Sequence, residues 1–454
     1  MIDCSRRSPP RVPVVSLAHT AFSLPASPPR PTRPGRLPNA SKVKPEDIHT
    51  FVAGLFADDL HAKRVLSLAS GVLGVVHSAS LAIHAIGQGL AQARGLSPKH
   101  ATKQIDRLLS NQGLVLEELL PLWAGFLLAQ RQDVVLTLDW TDFDKDQQAT
   151  LSLNLVTSHG RATPLLWITV PTAFLKGRRN HHEDALLERL HDLLPAGVKV
   201  TLLADRAFGD QKLYALLEQL GFDFVIRFRG CITVGLADGS SAKAEDLVPT
   251  NGRPKLFRDV TVTTDRTPLA GVVCVHARGM AEPWHLATSR RDLTATKVVA
   301  FYGRRFSTEE SFRDTKDPRF GLGLSATRIS TCERRDRLLL VATMAQALLT
   351  LLGAAAEEVG LDRKLKVSTT TKRTHSLFRQ GLYWYGAIPA MPQEWLEPLM
   401  AAFGRLVSDH PVFSKTLGVI GGDSSGAGQL PQILLGPEGQ VKVRPSLLST
   451  MRSR

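Results

Sequence analysis

Residues 134–141 read Val-Val-Leu-Thr-Leu-Asp-Trp-Thr, and residues 198–205 read Val-Lys-Val-Thr-Leu-Leu-Ala-Asp. Each is an aliphatic, β-branched run of the kind that buried strands use, closed by an aspartate. Sites in α/β sheets are assembled at the carboxyl ends of such strands, so Asp139 and Asp205 read as two carboxylates at one sheet edge. A carboxylate directly after five or six apolar residues is partly desolvated, and it is tolerated there if it is paired or holds a metal. For either aspartate alone, turn capping is the commoner explanation. Two such strand ends in one sheet shift the balance towards a metal site.

Working outward, the order of elements is that of a mixed α/β sheet. Residues 150–157 alternate as a half-buried strand and 164–170 form another; a helix at 183–194, a strand at 198–204, a helix at 210–220 and a strand at 222–228 follow. Residues 230–292 turn β-rich, with strands expected at 260–264, 271–277 and 284–288, and read as an inserted subdomain. Helices resume over 293–360, and 361–415 is a shorter-ranged helical region. Upstream, 42–130 is helical throughout, with Ser97-Pro98 as a helix start. The sheet core thus falls into two parts, 131–229 and 293–360. At the ends, 1–41 is a Pro/Arg-rich segment expected to be disordered, holding nine of the 27 prolines within its first 40 residues, and 416–454 reads as a flexible tail with a Gly/Ser run.

The chain has 454 residues, enough for two to four structural units at about 150 residues each. Hydrophobic residues make up 43% and charged residues 22%, which excludes a globally disordered protein and a disulfide-dense miniature scaffold. Its four cysteines are scattered, with no paired spacing, so neither a disulfide framework nor a zinc site is indicated and a reducing cytosol fits. The stretches 65–93 and 338–356 are apolar enough to be compared with membrane spans, but polar side chains run through the first, and Arg334, Arg335, Arg337, Glu357 and Glu358 bracket the second. No membrane partner is expected. Lysine plus arginine exceed acidic residues by 14, the profile of a protein that meets polyanions, with nucleic acid the leading partner.

A third chemical element lies after the β-rich block. Tyr302, Arg305, Glu309 and Lys316 are spaced by three, four and seven, which on one continuous helix places them within an arc of about 60° at about 100° per residue. Taken alone this is a surface helix with an Arg305–Glu309 ion pair. Together with Asp139 and Asp205, Glu309 completes a set of three carboxylates from two strands and a helix. Such a set can hold two divalent ions about 3.5–4 Å apart, activating a water or 3′-hydroxyl against a phosphodiester. Oxygen ligands favour Mg2+ or Mn2+. Tyr302, Arg305 and Lys316 would then grip the flanking DNA phosphates.

These residues resemble a known family. Tyr302, Arg305, Glu309 and Lys316 are similar to the Tyr-x2-Arg-x3-Glu-x6-Lys signature of one branch of bacterial insertion-sequence DDE transposases, and Asp139-Trp140-Thr141 and Leu203-Ala204-Asp205-Arg206 resemble the family's two Asp elements. Further similar segments are Gly95-Leu96-Ser97, Arg107-Leu108-Leu109-Ser110, Phe320-Gly321-Leu322-Gly323-Leu324 and Ser376-Leu377-Phe378-Arg379-Gln380-Gly381, so the resemblance spans about 42–390. It implies an RNase H-like core interrupted by a β-rich insertion before the Glu helix, preceded by an all-helical DNA-binding domain and followed by a helical C-terminal region. It implies Asp139, Asp205 and Glu309 as metal ligands, with the signature spacing selecting Glu309 over Glu310. It also implies a tryptophan of the insertion that stacks on a flipped base, for which Trp284 is the match, with a core strand role as the alternative. The implied activity is cutting at terminal inverted repeats and joining the freed 3′ ends to target DNA, by a homodimer on DNA, in the bacterial cytoplasm at the nucleoid. The rivals are an RNase H-like nuclease that cuts without joining and a catalytically silent DNA-binding relative.

Other basic residues are candidate DNA contacts. Lys99, His100, Lys103 and Arg107 follow the Ser97-Pro98 helix start and face either phosphates or solvent; Arg206 follows Asp205; and Lys364, Lys372 and Arg373 belong to a cluster with Arg363 and Lys366 that reads as DNA-facing. Lys176, Arg178 and Arg179 before His181-His182-Glu183 form a basic loop facing DNA or solvent, since the two histidines lack the i,i+4 spacing of a zinc pair. Residues 142–146 imitate a calcium loop, but Gln147 stands where the loop needs glycine and Leu153 where it needs its closing glutamate.

Overall fold

The computed structural model describes residues 45–128 and 131–408, together with a two-stranded ladder of Leu434–Leu435 and Val441–Lys442. The Pro/Arg-rich segment expected at 1–41 and most of the expected tail at 416–454 lie outside the described residues.

Five helices open the described chain: α1 (Pro45–Phe56), α2 (Ala62–Ser78), α3 (Ile83–Arg94), α4 (Pro98–Leu109) and α5 (Leu116–Leu128). Pro98 takes the first turn of α4, where its missing N–H costs nothing. The helix then divides sharply: Ala101, Ile105, Leu108 and Leu109 are buried, while Lys99, His100, Lys103 and Arg107 are exposed.

Strands β1 (Asp133–Phe143), β2 (Gln148–Val156) and β3 (Ala162–Pro171) form an antiparallel meander. Helix α6 (Arg179–Leu193), β4 (Lys199–Ala204), α7 (Gln211–Gln219) and β5 (Asp223–Arg227) follow, and β4 and β5 lie parallel to β1. The order across these five strands is β3-β2-β1-β4-β5. After the exposed Lys199, every residue of β4 is buried, and Thr201 is its one polar side chain among Val200, Leu202, Leu203 and Ala204.

The β-rich stretch contains β6 (Thr233–Gly235), β7 (Ser241–Lys243), β8 (Lys255–Val262), β9 (Thr267–Val275) and β10 (Trp284–Thr288). The sequence reads this stretch as an inserted β-rich subdomain, and the pairing gives the way it joins the core. Strand β10 bonds antiparallel to β5, so these strands extend the same sheet to ten, in the order β3-β2-β1-β4-β5-β10-β9-β8-β6-β7. The edge that β5 would leave open is closed by β10, whose backbone groups it satisfies.

Helices α8 (Ala295–Gly303), α9 (Phe306–Lys316), α10 (Cys332–Glu358), α11 (Leu377–Ala387) and α12 (Gln393–Ser408) complete the described fold. Among the described residues α10 is long and apolar enough to cross a membrane, but 83% of its most apolar window is buried inside the fold. It packs against α2, α11, α12 and β3 as a central core helix. The fully buried Arg335 of α10 donates to Asp146 Oδ2 at 2.5 Å and Gln148 Oε1 at 2.6 Å, with its guanidinium 3.7 Å from the Phe143 ring centroid. The calcium-loop imitation is thereby explained as structure: Asp144–Asp146 form a 3-10 turn, Gln147 closes it at φ 55°, and Asp146 serves an arginine.

Candidate active site

Asp139 does not end its strand. Strand β1 continues to Phe143 because the hairpin ladder with β2 runs on through Asp139 opposite Ser152 to Phe143 opposite Gln148. What ends is the parallel ladder to β4, whose last pair is Leu138 with Ala204. Asp139 and Asp205 are therefore the next residues on two neighbouring strands about 4.8 Å apart. Asp205 leaves its strand into a 3-10 turn (Arg206–Phe208) that its own Oδ1 caps, accepting from Ala207 N–H at 2.8 Å. The turn returns against β5 so closely that a Cβ at Gly209 would stand 2.9 Å from Phe228 Cβ.

Glu309 comes from α9, and the path into it also differs from the single helix expected over Tyr302 to Lys316. Helix α8 ends at Gly303, and Arg305 stands at the start of α9. Two contacts seat α9 on the sheet. The Thr308 and Thr137 hydroxyls are hydrogen-bonded at 2.5 Å, and Ser311 Oγ accepts from Ala162 N–H at 2.7 Å while donating to the Ala162 carbonyl at 2.8 Å. Thr137 is two residues before Asp139, on the same face of β1, and Thr308 immediately precedes Glu309. Neither threonine was singled out in the sequence, although a hydroxyl within an otherwise aliphatic strand run is a visible signal.

Arg305 joins the two carboxylates. It lies 2.5 Å from Glu309 Oε1 and 3.8 Å from Asp139 Oδ2, and only 8% of the residue is exposed. Burial pulls its proton affinity down, but Tyr302, Glu309, Asp139 and Asp205 outweigh that and hold it charged. Asp139 is pushed up to about 6, first by burial and then by the charges of Asp205 and Glu309, against the pull of Arg305. Three carboxylates thus share one field, and a guanidinium offsets part of it.

The remaining predicted residues divide in two. Lys316 is half-buried with its ammonium 5.1 Å from the Phe143 ring centroid; burial lowers its pKa while Asp142 and Asp139 oppose the shift. Tyr302 is buried, its ring 4.9 Å edge-on from Trp284, and burial raises its pKa. Trp284 is only 7% exposed, wedged between Tyr302 and Phe306, so it packs as a core strand residue rather than standing ready to stack on a base. Arg206 pairs with Glu282 at 3.0 Å, a carboxylate it shares with Arg227. In the carboxy-terminal cluster, Lys364 lies 3.8 Å over the Trp395 ring, Arg373 grips Glu357 through two 2.6 Å bonds, and Lys372 is exposed.

Residues 132–348 match the transposase DDE domain family. No curated protein matches the chain. The match supports a DDE transposase, and its span takes in Asp139, Asp205, Arg206, Trp284, Tyr302, Arg305, Glu309 and Lys316, leaving Lys364, Lys372 and Arg373 beyond it. DDE transposases use divalent metals. The donor set here suits a hard cation in its chemistry, since all the donors are carboxylate oxygens and the charges of Asp205 and Glu309 help to raise the proton affinity of Asp139, which positive charge would relieve. Among the described residues, however, no three His, Cys, Asp or Glu side chains converge at metal-binding range. Arg305 supplies the positive charge instead, and it would have to yield on loading.

Proposed function

We propose that the protein is a DNA transposase of the insertion-sequence branch marked by the Tyr302, Arg305, Glu309, Lys316 signature, cutting at terminal inverted repeats and joining the 3′ ends to target DNA. The carrying observation is the placement of Asp139 beside Asp205 on adjacent parallel strands, with α9 and Glu309 seated on the same face through Thr308 and Thr137. The order β3-β2-β1-β4-β5, with β1, β4 and β5 parallel, supports an RNase H-like core. Asp139, Asp205 and Glu309 would hold two Mg2+ or Mn2+ ions. Bound there, the ions would lower the pKa of the attacking water or 3′-hydroxyl and stabilise the leaving oxygen.

The chain's own residues do the rest. Asp139 lies under the sheet's helical cover, where exclusion of water strengthens its interactions. Arg305, just before α9, and Lys316, at its end, lie on either side of Glu309 and would neutralise phosphates flanking the scissile bond, Arg305 by exchanging its pairs with Glu309 and Asp139. Lys99, Lys103 and Arg107 of α4, exposed and without an acidic partner among the described residues, would supply sequence-independent attraction to the DNA backbone. A homodimer on DNA, acting in the cytoplasm at the nucleoid, completes the reading.

The test is a plasmid carrying this gene with its native flanks, incubated with protein and Mg2+ beside Glu309→Gln, with every cut and joined end mapped. Paired cuts at the repeats and joined products, lost in Glu309→Gln while DNA binding persists, are expected. Cuts without joining would replace the transposase by a nuclease. Normal cleavage by Glu309→Gln would sink the site assignment.

A further inference from the structure

The connection from β3 to α6 carries an aromatic ring that packing does not explain. Phe174 is 62% exposed, yet its chain is firmly held on both sides. Thr172 N–H donates to the Gln147 carbonyl at 3.0 Å, Leu175 N–H to Thr172 at 3.1 Å, and Arg178 N–H to Leu175 at 3.0 Å. Leu175 is buried with Ala149 and Val170, against Trp140. A turn through Gly177, at φ 71°, then leads into α6. With Leu175 committed inward, its neighbour is directed out. Leaving a phenylalanine in water forgoes about 1.5–3 kcal/mol of burial.

The surroundings say what would cover it. Lys176 and Arg178 are exposed, with no acidic partner among the described residues. Arg179 fastens the loop to the strand that carries Asp139: its guanidinium stacks 4.8 Å from the Trp140 ring centroid and lies 3.3 Å from Asp142 Oδ1, and Trp140 Nε1 donates to Glu183 at 2.6 Å. Asp142 is three residues past Asp139, about 10 Å along an extended strand. A flat apolar surface beside unpaired cations, within a few nucleotide lengths of the carboxylates, suits one chemistry: an anionic backbone that presents unstacked bases.

We propose that Phe174 stacks on an unpaired DNA base next to the site, with Lys176 and Arg178 holding the adjoining phosphates. This rests on the DNA reading of the previous subsection. The ring and its cations form a single-strand contact distinct from the carboxylates themselves.

The experiment uses three probes of arbitrary sequence: a 30-base-pair blunt duplex, the same duplex with a four-nucleotide 3′ overhang carrying 2-aminopurine, and a 12-nucleotide single strand. Affinity is read by anisotropy and stacking by quenching of the 2-aminopurine emission. Wild-type protein should quench the overhang probe. Phe174→Ala should remove the quenching and weaken overhang and single-strand binding about tenfold, with blunt-duplex affinity held within twofold, and Phe174→Trp should restore both. Lys176→Ala with Arg178→Ala should weaken all three probes and flatten the salt dependence. Wild-type affinities for the overhang and single-strand probes in Phe174→Ala, or unchanged quenching, would overturn the stacking proposal and leave DNA binding intact. Failure of the wild-type protein to bind any probe would overturn the DNA reading itself. An unchanged melting temperature in Phe174→Ala separates either result from misfolding.

Discussion

Two basic regions look alike in sequence and differ in the folded protein. Helix α4 carries Lys99, His100, Lys103 and Arg107, and the segment before α11 carries Arg363, Lys364, Lys366, Lys372 and Arg373. On α4 these four are exposed, and the helix's own acid, Asp106, is taken by Arg334 of α10 at 2.6 Å. Before α11, Arg373 is bound by Glu357, Lys366 by Asp362 at 2.7 Å, and Lys364 by the Trp395 ring. A cation already paired inside the fold offers a phosphate less than a free one, since the new contact must replace the old. In the second region Arg363 stays exposed, bonded to the Thr370 carbonyl at 3.3 Å, while Arg373 fastens α10 to the chain before α11 and Lys364 reaches the Trp395 ring of α12. A larger share of the charge on α4 is thus left for DNA.

The largest effect should come from the free face. Lys103→Ala with Arg107→Ala is expected to lower affinity for duplex DNA by about tenfold or more near physiological salt, and to reduce the slope of log affinity against log salt by about two, in a filter-binding titration. Arg373→Ala should act on folding: loss of the bidentate pair with Glu357 is expected to cost about 1 kcal/mol in a denaturant titration, with duplex affinity within twofold. Lys364→Ala should be milder, about 0.5–1 kcal/mol, the worth of one cation–π contact. Should Arg373→Ala weaken DNA binding as much as the α4 double variant, the contrast between the regions collapses. A flat salt response in the wild-type protein would remove the α4 face from consideration.

The contrast also shows what sequence can carry. Glu357 and Trp395 lie 16 and 31 residues from the cations they occupy, and nothing in the local spacing ties them together. The strand pattern around Asp139 and Asp205 is legible because burial leaves a mostly aliphatic, β-branched run, and a sheet aligns the ends of neighbouring strands. Their alignment holds, but the reason is the end of the β1–β4 ladder rather than the end of β1, and register is set by pairing across the sheet. The spacing of Tyr302, Arg305, Glu309 and Lys316 fits one helix, yet the chain breaks after Gly303. Periodicity is blind to such a break when the residues on either side keep the rhythm. Burial of Trp284 was equally hidden, since its partners Tyr302 and Phe306 arrive from the next two helices.

The bonding of β10 to β5 bears on how such a chain could gain or lose its β-rich block over evolutionary time. Because β6 to β10 grow outward from the edge of β5, an ancestor lacking them would have presented that edge to solvent, with β5's apolar centre Phe224, Val225 and Ile226 beside a row of unpaired backbone groups. Edges of that kind recruit strands from other molecules. Deleting the block in one step would therefore give a sticky intermediate, whereas trimming strands from the far end, β7 and β6 first, would leave β5 covered throughout. Lineages should shorten this insertion from its tip and keep its root.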